Sequence, residues 1–157
     1  MTFRETKLKG AFEIQLQPNL DPRGHFMRTY DKKVFAEHGL PTDWVQESES
    51  LSRIKGTVRG MHFQYPPEGE VKAVRATRGE TFLAVVDLRT DSPTFGEWDA
   101  VILSADKHNV LIVPRGVANG MCSLSDNCVL VYKMDRYFRP RSYDAIRWND
   151  PGIGIEW

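Results

Sequence analysis

Short apolar and β-branched runs recur along the whole chain, and residues that favour turns separate them. Lys55-Gly56, Arg78-Gly79 and Pro114-Arg115-Gly116 are examples of these breaks. Short strands at such spacing are typical of an antiparallel sandwich or barrel. The pattern predicts strands at Ala11–Gln17, Thr57–Tyr65, Val71–Thr77, Thr81–Leu88, Trp98–Leu103, Val110–Val113 and Cys128–Met134.

One short helix is predicted over Asp31–His38, because an acidic residue stands at its start and Gly39 can end it. The predicted fold class is therefore all-β with one short helix, arranged as a jelly roll. The 157 residues contain no repeat or linker and suffice for a hydrophobic core. We expect residues 1–157 to form a single domain.

Composition narrows the range of partners. The chain has 21 basic and 21 acidic side chains, so its net charge indicates no nucleic-acid surface. The N-terminal segment MTFRETKLKG lacks the apolar core of a signal peptide, and no apolar run reaches the ~18 residues of a membrane helix. We expect a cytoplasmic protein with no membrane or nucleic-acid partner, whose two cysteines, Cys122 and Cys128, serve packing.

A polar alternation in the second predicted strand suggests a ligand site. Because successive strand residues point to opposite faces, Met61 and Phe63 share one face while Gly60, His62 and Gln64 share the other. If the second set points into a barrel, it would line a pocket. The alternative is that His62 lies on the wet outer face.

Basic residues lie near His62 in the sequence. Arg59 precedes it by three residues, Lys72 opens the next strand, and Arg23 stands in a turn-like segment near the N-terminus. Arginine forks and lysine point charges both suit phosphate oxygens, so these cations could hold a diphosphate. The alternative is that they form ordinary surface salt bridges.

No pattern indicates a metal. The remaining histidines, His25, His38 and His108, show no spacing that would complete a metal site with His62. The serine-nucleophile elbow, the P-loop and the Rossmann glycine pattern are also absent. We therefore predict neither a metal nor a cofactor.

Five motifs in order and spacing resemble the dTDP-4-dehydrorhamnose 3,5-epimerase family over nearly the whole chain. They are Asp21-x-Arg23-Gly24-x-Phe26, Arg59-Gly60-Met61-His62-Phe63-Gln64, Ser92-Pro93-Thr94-Phe95-Gly96, Ile112-Val113-Pro114-Arg115-Gly116 and Trp148-Asn149-Asp150-Pro151. The resemblance implies a cupin-type jelly roll (a double-stranded β-helix barrel) without metal. It also implies a homodimer that exchanges N-terminal strands and acts in cytoplasmic nucleotide-sugar metabolism.

The resemblance assigns roles to individual residues. His62 matches the family's catalytic base, Lys72 the lysine that stabilises an enolate, and Tyr132 the acid on the opposite face. The remaining matches concern substrate binding: Arg23 and Arg59 at the diphosphate, Phe26 and Gln46 near the nucleotide.

This assignment is chemically coherent. A proton on the carbon next to a ketone is weakly acidic, so its removal needs a base and a cation that stabilises the oxyanion. Inversion follows if a donor on the opposite face returns the proton, as a phenol can. A histidine, with an ordinary pKa near ~6.5, suits the base at cellular pH. Neither step requires a redox cofactor.

The chain also departs from the family pattern in the sugar pocket. Asn119 and Leu83 stand where the family has a paired histidine and aspartate. We expect Asn119 to hydrogen-bond a sugar oxygen. Phe138 replaces a tyrosine and Tyr143 a glutamate, so both changes remove groups that usually face substrate.

The support of the base is a further departure. The family's aspartate that orients the catalytic histidine follows the Trp-Asn-Asp-Pro motif, whereas this sequence ends at Trp157. Either another carboxylate supports His62 or the base is weaker than in the family.

The nucleotide pocket differs too. Arg28 and Ser48 stand where the family's dTDP enzymes often have glutamate and asparagine. By analogy with base recognition in DNA, an arginine suits the acceptors of guanine. The substrate could therefore be a GDP- or CDP-linked sugar rather than a dTDP sugar.

Three functional hypotheses follow. The first is epimerisation at C3, C5 or both of a nucleotide-diphosphate-linked 4-keto-6-deoxy sugar. The second is a ketoisomerase that uses the same enolate chemistry on the same scaffold. The third is a nucleotide-sugar-binding homologue without activity.

Overall fold

The computed structural model describes all residues from 1 to 157 as two facing antiparallel sheets and one helix. The strands are β1 (Thr2–Glu5), β2 (Phe12–Gln15), β3 (Asn19–Asp21), β4 (Gly24–Phe26), β5 (Gln46–Ser52), β6 (Val58–Gln64), β7 (Lys72–Arg78), β8 (Glu80–Asp87), β9 (Trp98–Ser104), β10 (Asn109–Val113), β11 (Val117–Ser123), β12 (Cys128–Met134) and β13 (Tyr143–Ala145). The helix, α1, spans Lys32–Glu37. The predicted all-β class with one short helix is confirmed, and no helix is long and apolar enough to cross a membrane.

The order of strands explains how the two sheets form a jelly roll. One sheet has the order β1-β2-β10-β7-β12-β5, and the other has the order β13-β6-β11-β8-β9. Strands β3 and β4 form a separate hairpin. Neighbours in each sheet are often distant in sequence, so each sheet combines strands from both halves of the chain.

The helix forms where the sequence predicts it. The Asp31 side chain caps its N-terminus by accepting hydrogen bonds from the backbone N–H groups of Lys33 and Val34, at 3.0 and 3.3 Å. Gly39 follows with a positive φ of 68°, the backbone conformation that commonly ends a helix. The buried side chain of Phe35 fixes the helix against β2 and β10 through a cluster that includes Ile14 and Ile112.

The hydrophobic pattern does not predict two of the seven- and eight-residue strands, β5 and β11. Strand β5 reads QESESLS, in which both faces are largely polar, so apolar alternation cannot reveal it. Strand β11 contains Asn119-Gly120, a pair that normally signals a hairpin turn. Here the glycine serves close packing instead, because a Cβ on Gly120 would lie 2.5 Å from the sulfur of Met61.

The close approach of β6 and β11 also explains a second glycine, Gly60 in β6. A Cβ on Gly60 would lie 2.4 Å from the Cα of Gly120, and Gly60 has a φ of 125°. A residue with a side chain would therefore clash with Gly120, and its backbone would be strained at this positive φ. The two glycines therefore allow β6 and β11 to approach closely where β6 carries its polar inward face.

The main core lies between the two sheets. Its fourteen buried residues come from both sheets, for example Val74 and Leu130 from one and Leu83 and Val85 from the other. The partly buried ring of Tyr132 packs against this cluster.

A buried carboxylate holds the corner after β8. Asp87 accepts hydrogen bonds from the guanidinium of Arg89, at 2.7 and 2.8 Å, and from the hydroxyls of Ser92 and Thr94, both at 2.6 Å. Burial by itself would raise the pKa of the Asp87 carboxyl. The hydrogen-bond donors outweigh it and hold this pKa far below its usual range. The Ser92-Pro93-Thr94 motif is thus structural in this chain.

Candidate active site

A cavity of about 430 Å³ opens between the two sheets. Strands β5, β7 and β12 form one wall, and β6, β8, β11 and β13 form the other. Eight of its sixteen lining residues are hydrophobic, and the others are polar or charged or are glycine. Such a mixture is typical of a small-molecule site rather than of a packing defect.

His62 points into this cavity from β6. Gly60 and Gln64 line the cavity with it, while Met61 is fully buried in a separate cluster on the opposite face of the strand. The predicted alternation is therefore confirmed, and the alternative of a wet outer face for His62 is wrong. Tyr143 of β13 is hydrogen-bonded through its hydroxyl to Nδ1 of His62.

The surroundings of His62 favour its neutral form. Burial lowers the pKa of the imidazole below its ordinary value, and the positive charges of Lys72 and Arg59 lower it further. An uncharged imidazole has a free lone pair and can accept a proton at neutral pH. The electrostatics of the cavity thus suit a base at this position.

Tyr132 faces the same cavity from the opposite sheet. It lies on β12, in register with Val74 of β7, and both line the cavity wall. A phenol can donate a proton or a hydrogen bond. The structure therefore brings an imidazole and a phenol into one space from opposite walls.

Lys72 completes the polar part of the cavity. Its Nζ lies 2.9 Å from Oε1 of Glu70 and donates a hydrogen bond to Oδ1 of Asn119 at 3.0 Å. Asn119 is directly opposite His62 in the β11–β6 register, so the ammonium lies beside the strand pair that carries the imidazole. The amide oxygen of Asn119 is thereby engaged with a cation, while its NH₂ group forms no hydrogen bond within the chain.

Glu70 and Gln64 form a network that sequence reasoning missed. Gln64 donates from Nε2 to Oε2 of Glu70 at 2.8 Å, and its own Oε1 accepts from the backbone N–H of Arg139 at 2.6 Å. This network holds the carboxylate against Lys72. The two-residue spacing of Glu70 and Lys72, which places both on one face of an extended segment, was the available signal.

The predicted substrate residues divide into two groups. Arg59, Asn119 and Phe138 line the cavity. Leu83 lines it as well, so both members of the substituted polar pair face the same space. The Arg59 guanidinium donates to Oγ of Ser52 and to the carbonyl of Leu51, both at 3.2 Å.

The second group lies outside the cavity of this single chain. Arg23 pairs with Asp21 on the exposed β3–β4 hairpin, where Phe26 is 67% exposed. Arg28 pairs with Asp31 at 3.7 Å, near the start of the helix. Gln46 and Ser48 lie on β5, and Oε1 of Gln46 accepts from the backbone N–H of Phe138 at 2.6 Å.

No three histidine, cysteine, aspartate or glutamate side chains lie close enough together to hold a metal ion. Cys122 and Cys128 are free thiols, and burial raises the pKa of Cys128. The cavity presents an imidazole, a phenol and an ammonium group to a bound molecule.

Fold and site together define a class: small jelly-roll proteins whose cavity carries acid–base groups on opposite walls. Comparison with known proteins gives the family. The family model described as dTDP-4-dehydrorhamnose 3,5-epimerase matches residues 5–157. The chain belongs to this family.

Individual relatives agree with this assignment. A dTDP-4-dehydrorhamnose 3,5-epimerase of Methanothermobacter thermautotrophicus is 43% identical over 156 residues, which cover 99% of this chain and 83% of the relative. The crystal structure of the Bacillus anthracis enzyme of the same name, with TDP and PPi bound, has a TM-score of 0.97 at 38% identity and covers 99% of this chain and 89% of its own. The predicted cupin-type fold is thereby confirmed.

A third similarity concerns the type of substrate. NovW, a 4-keto-6-deoxy sugar epimerase from the novobiocin biosynthetic gene cluster of Streptomyces spheroides, has a TM-score of 0.96 at 35% identity. The match covers 100% of this chain and 79% of that one. The chain is therefore also similar in fold to an enzyme named for epimerising a 4-keto-6-deoxy sugar.

Proposed function

We propose that this chain epimerises a nucleotide-diphosphate-linked 4-keto-6-deoxy sugar at C3, C5 or both. One observation carries the proposal: His62 and Tyr132 reach a single cavity from opposite sheets, with the ammonium of Lys72 on its wall. A ring placed between an imidazole and a phenol can lose a proton on one face and gain one on the other.

Each step conserves atoms and electrons. His62 removes the proton from the carbon next to the ketone, and the C–H electron pair moves into the enolate whose oxygen becomes negative. Lys72 stabilises that oxygen by charge and hydrogen bonding. Tyr132 then transfers its proton to the opposite face of the carbon and regains one from solvent, while the imidazolium of His62 loses its proton.

Arg59 is the cavity cation with a planar fork, and we assign it to the diphosphate. The free NH₂ group of Asn119 is the donor that we assign to a sugar oxygen. Phe138 lies at the cavity wall and offers an apolar face to the ring or the nucleotide.

For the nucleotide we favour dTDP. The case for a GDP or CDP sugar depended on Arg28, whose guanidinium lies 3.7 Å from the carboxylate of Asp31. The relatives are named as enzymes of dTDP sugars, and one solved structure contains TDP. Thermal-shift titrations with dTDP, GDP, CDP and UDP test this choice, and stronger stabilisation by GDP or CDP than by dTDP would reverse it.

We further propose that a second copy of the chain completes the site. Arg23 and Phe26 belong to the β3–β4 hairpin, in which every strand residue is exposed, with Leu20 78% exposed beside them. Exchange of N-terminal strands in a homodimer would bring this hairpin toward another cavity. Sedimentation equilibrium tests the dimer, and a monomer at all concentrations would contradict it.

We also propose that residues 1–157 fold as one domain. A single cooperative unfolding transition is the expected result.

The central test is solvent exchange. Incubation with a dTDP-linked 4-keto-6-deoxy sugar in heavy water should place deuterium at C3, C5 or both, as located by NMR, and the His62→Asn variant should lose this incorporation. A product with its ketone at C3 would instead indicate the ketoisomerase. Binding of the sugar nucleotide without any deuterium incorporation would indicate the non-catalytic homologue.

A further inference from the structure

One side of the active-site cavity presents no hydrogen-bonding side chain. Four of the lining residues form this apolar wall: Val74 on β7, Leu130 on β12, Leu83 on β8 and Met121 on β11. Each of them is at most 5% exposed and belongs to the main core cluster. The only heteroatom among their side chains is the sulfur of Met121, a weak acceptor that the hydroxyl of Ser52 already approaches at 3.9 Å.

The backbone of the apolar wall offers no substitute. All four strands lie inside their sheets and are bonded to a neighbour on each side. Their N–H and C=O groups pair along the sheets, as in the registers of Met121 with Leu83 and of Val74 with Tyr132. A hydroxyl group that met this wall would lose its hydrogen bonds to water without replacement.

The strand registers give the level of the apolar wall in the cavity. Val74 lies two residues beyond Lys72 on β7, and such residues share a strand face about 6.6 Å apart. Met121 is opposite Leu83 in the β11–β8 register and opposite Arg59 in the β11–β6 register. The wall is therefore level with Arg59 and one layer away from Lys72.

These levels orient a pyranose ring. With the C4 oxygen at Lys72 and the C1 diphosphate at Arg59, the wall meets the C1 end of the ring. At that end a hexopyranose carries the C2 hydroxyl on one edge and the ring oxygen on the other. The hydroxyl of Ser50 belongs to the diphosphate side instead, because Ser50 is on the border strand β5, two residues from the Ser52 hydroxyl that accepts from Arg59.

We propose that the apolar wall selects a nucleotide sugar without a hydroxyl at C2, and that Leu83 is the specificity-determining residue. The orientation of the sugar comes from the proposed function, on which this inference rests. Of the eight residues of β8, only Leu83 lines the cavity, so this strand offers the sugar a single apolar side chain. An apolar pocket typically disfavours an added hydroxyl by about 10- to 100-fold.

Two unreactive ligands test the native protein directly. dTDP-6-deoxyglucose and dTDP-2,6-dideoxyglucose both carry a hydroxyl instead of a ketone at C4, and they differ only at C2. Isothermal titration calorimetry should show that the 2,6-dideoxy ligand binds about 10- to 100-fold more tightly, because its C2 edge leaves no hydroxyl unpaired at the wall.

Substitutions in the wall should remove this preference. Leu83→Asn introduces an amide donor and acceptor, so the ratio of the two affinities should fall to about 1 or invert. Val74→Thr is a milder second variant, which exchanges one methyl group of the wall for a hydroxyl and should lower the ratio as well. Val101→Thr is the matched control, because Val101 belongs to the same core cluster but does not line the cavity.

The ratio of affinities is the quantity to compare, because a loss of stability affects both ligands alike. Equal affinities of the native protein, tighter binding of the 2-hydroxy ligand, or binding of neither would overturn the inference. So would a native ratio in both Leu83→Asn and Val74→Thr. Failure of the proposed function is a separate result: no deuterium incorporation into a dTDP-linked 4-keto-6-deoxy or 4-keto-2,6-dideoxy sugar, whatever the ratio.

Discussion

The ammonium of Lys72 lies 2.9 Å from the carboxylate of Glu70, and their side chains are only 13% and 7% exposed. This pair fixes the position of the cation that we assign to the enolate oxygen. Gln64, which is buried, and Asn119, which is half-buried, take up further hydrogen-bonding capacity of both charges.

Replacing Glu70 should therefore affect both stability and activity. Glu70→Gln leaves a buried ammonium without its counter-charge, so we expect a loss of about 3 kcal/mol in the free energy of unfolding. Epimerisation should fall with it, because Lys72 is no longer held in place. Urea unfolding and turnover assays measure the two effects.

The control for this variant is Glu47→Gln. Glu47 pairs with Lys133 through side chains that are 51% and 35% exposed, so its loss should change stability by no more than about 1 kcal/mol. If the two substitutions lowered the free energy of unfolding equally, the burial of the Glu70–Lys72 pair would not be the cause of its larger contribution.

Tyr132→Phe should separate proton removal from inversion. The variant retains the ring that packs on the core and lacks only the hydroxyl. We expect His62 still to exchange substrate protons with solvent, while the yield of inverted product falls about 10²- to 10⁴-fold. NMR of the product in heavy water measures both quantities in one sample.

Tyr137→Phe, which alters an exposed tyrosine outside the cavity lining, serves as the control for Tyr132→Phe. If Tyr132→Phe inverted its substrate at the native rate, the assignment of Tyr132 as the acid would be wrong. Tyr143 would then be the remaining phenol in the cavity.

The pH profile should respond to Arg59. Because burial, Lys72 and Arg59 all lower the pKa of His62, the acid limb of kcat/KM should lie below the ordinary histidine value of ~6.5. Arg59→Gln removes one of the two cations, so the pKa of His62 should rise and the acid limb should move to higher pH. The absolute rate should fall as well, since Arg59 is also assigned to the diphosphate.

For this experiment Arg78→Gln is a suitable control, because Arg78 is an exposed residue at the end of β7 opposite to Lys72. An acid limb that stayed in place or moved to lower pH in Arg59→Gln would contradict the electrostatic account of the cavity.

The corner after β8 should govern acid stability. Asp87 is fully buried with Arg89, Ser92 and Thr94 as donors, so Asp87→Asn should lose about 3 kcal/mol at pH 7. Since the folded-state pKa of Asp87 lies below the unfolded value of ~3.9, its contribution is present above that pH and is lost as pH falls. The stability gap between the native protein and Asp87→Asn should therefore narrow below about pH 4.

Urea titrations at a series of pH values measure this gap. Glu97→Gln, which removes one partner of an exposed pair with Lys7, should show neither the loss at neutral pH nor the narrowing. A gap independent of pH would mean that the charge of Asp87 is not what stabilises the corner.

The sequence could predict those parts of the molecule that depend on local pattern. Strand β12 has the predicted bounds, and alternation along β6 predicted that His62 shares a face with Gly60 and Gln64. The capped helix followed from Asp31 and Gly39. In each case neighbouring residues carry the physical cause.

The parts that could not be predicted depend on pairing between distant segments. Tyr143 looked like the loss of a polar group, and its contact with His62 arises only because a three-residue strand pairs with β6 across 81 positions of sequence. The close approach of Gly60 and Gly120 likewise arises only from the pairing of β6 with β11. Such relationships carry no local signal.

Strand β13 lies at the border of its sheet, bonded to β6 on one side only. All three of its residues are exposed, so substitutions there disturb little of the interior. One contact with the imidazole of His62 therefore comes from a border strand that adds little to the buried core. Side chains at this border can change without rearranging the strands that carry Lys72 and Tyr132.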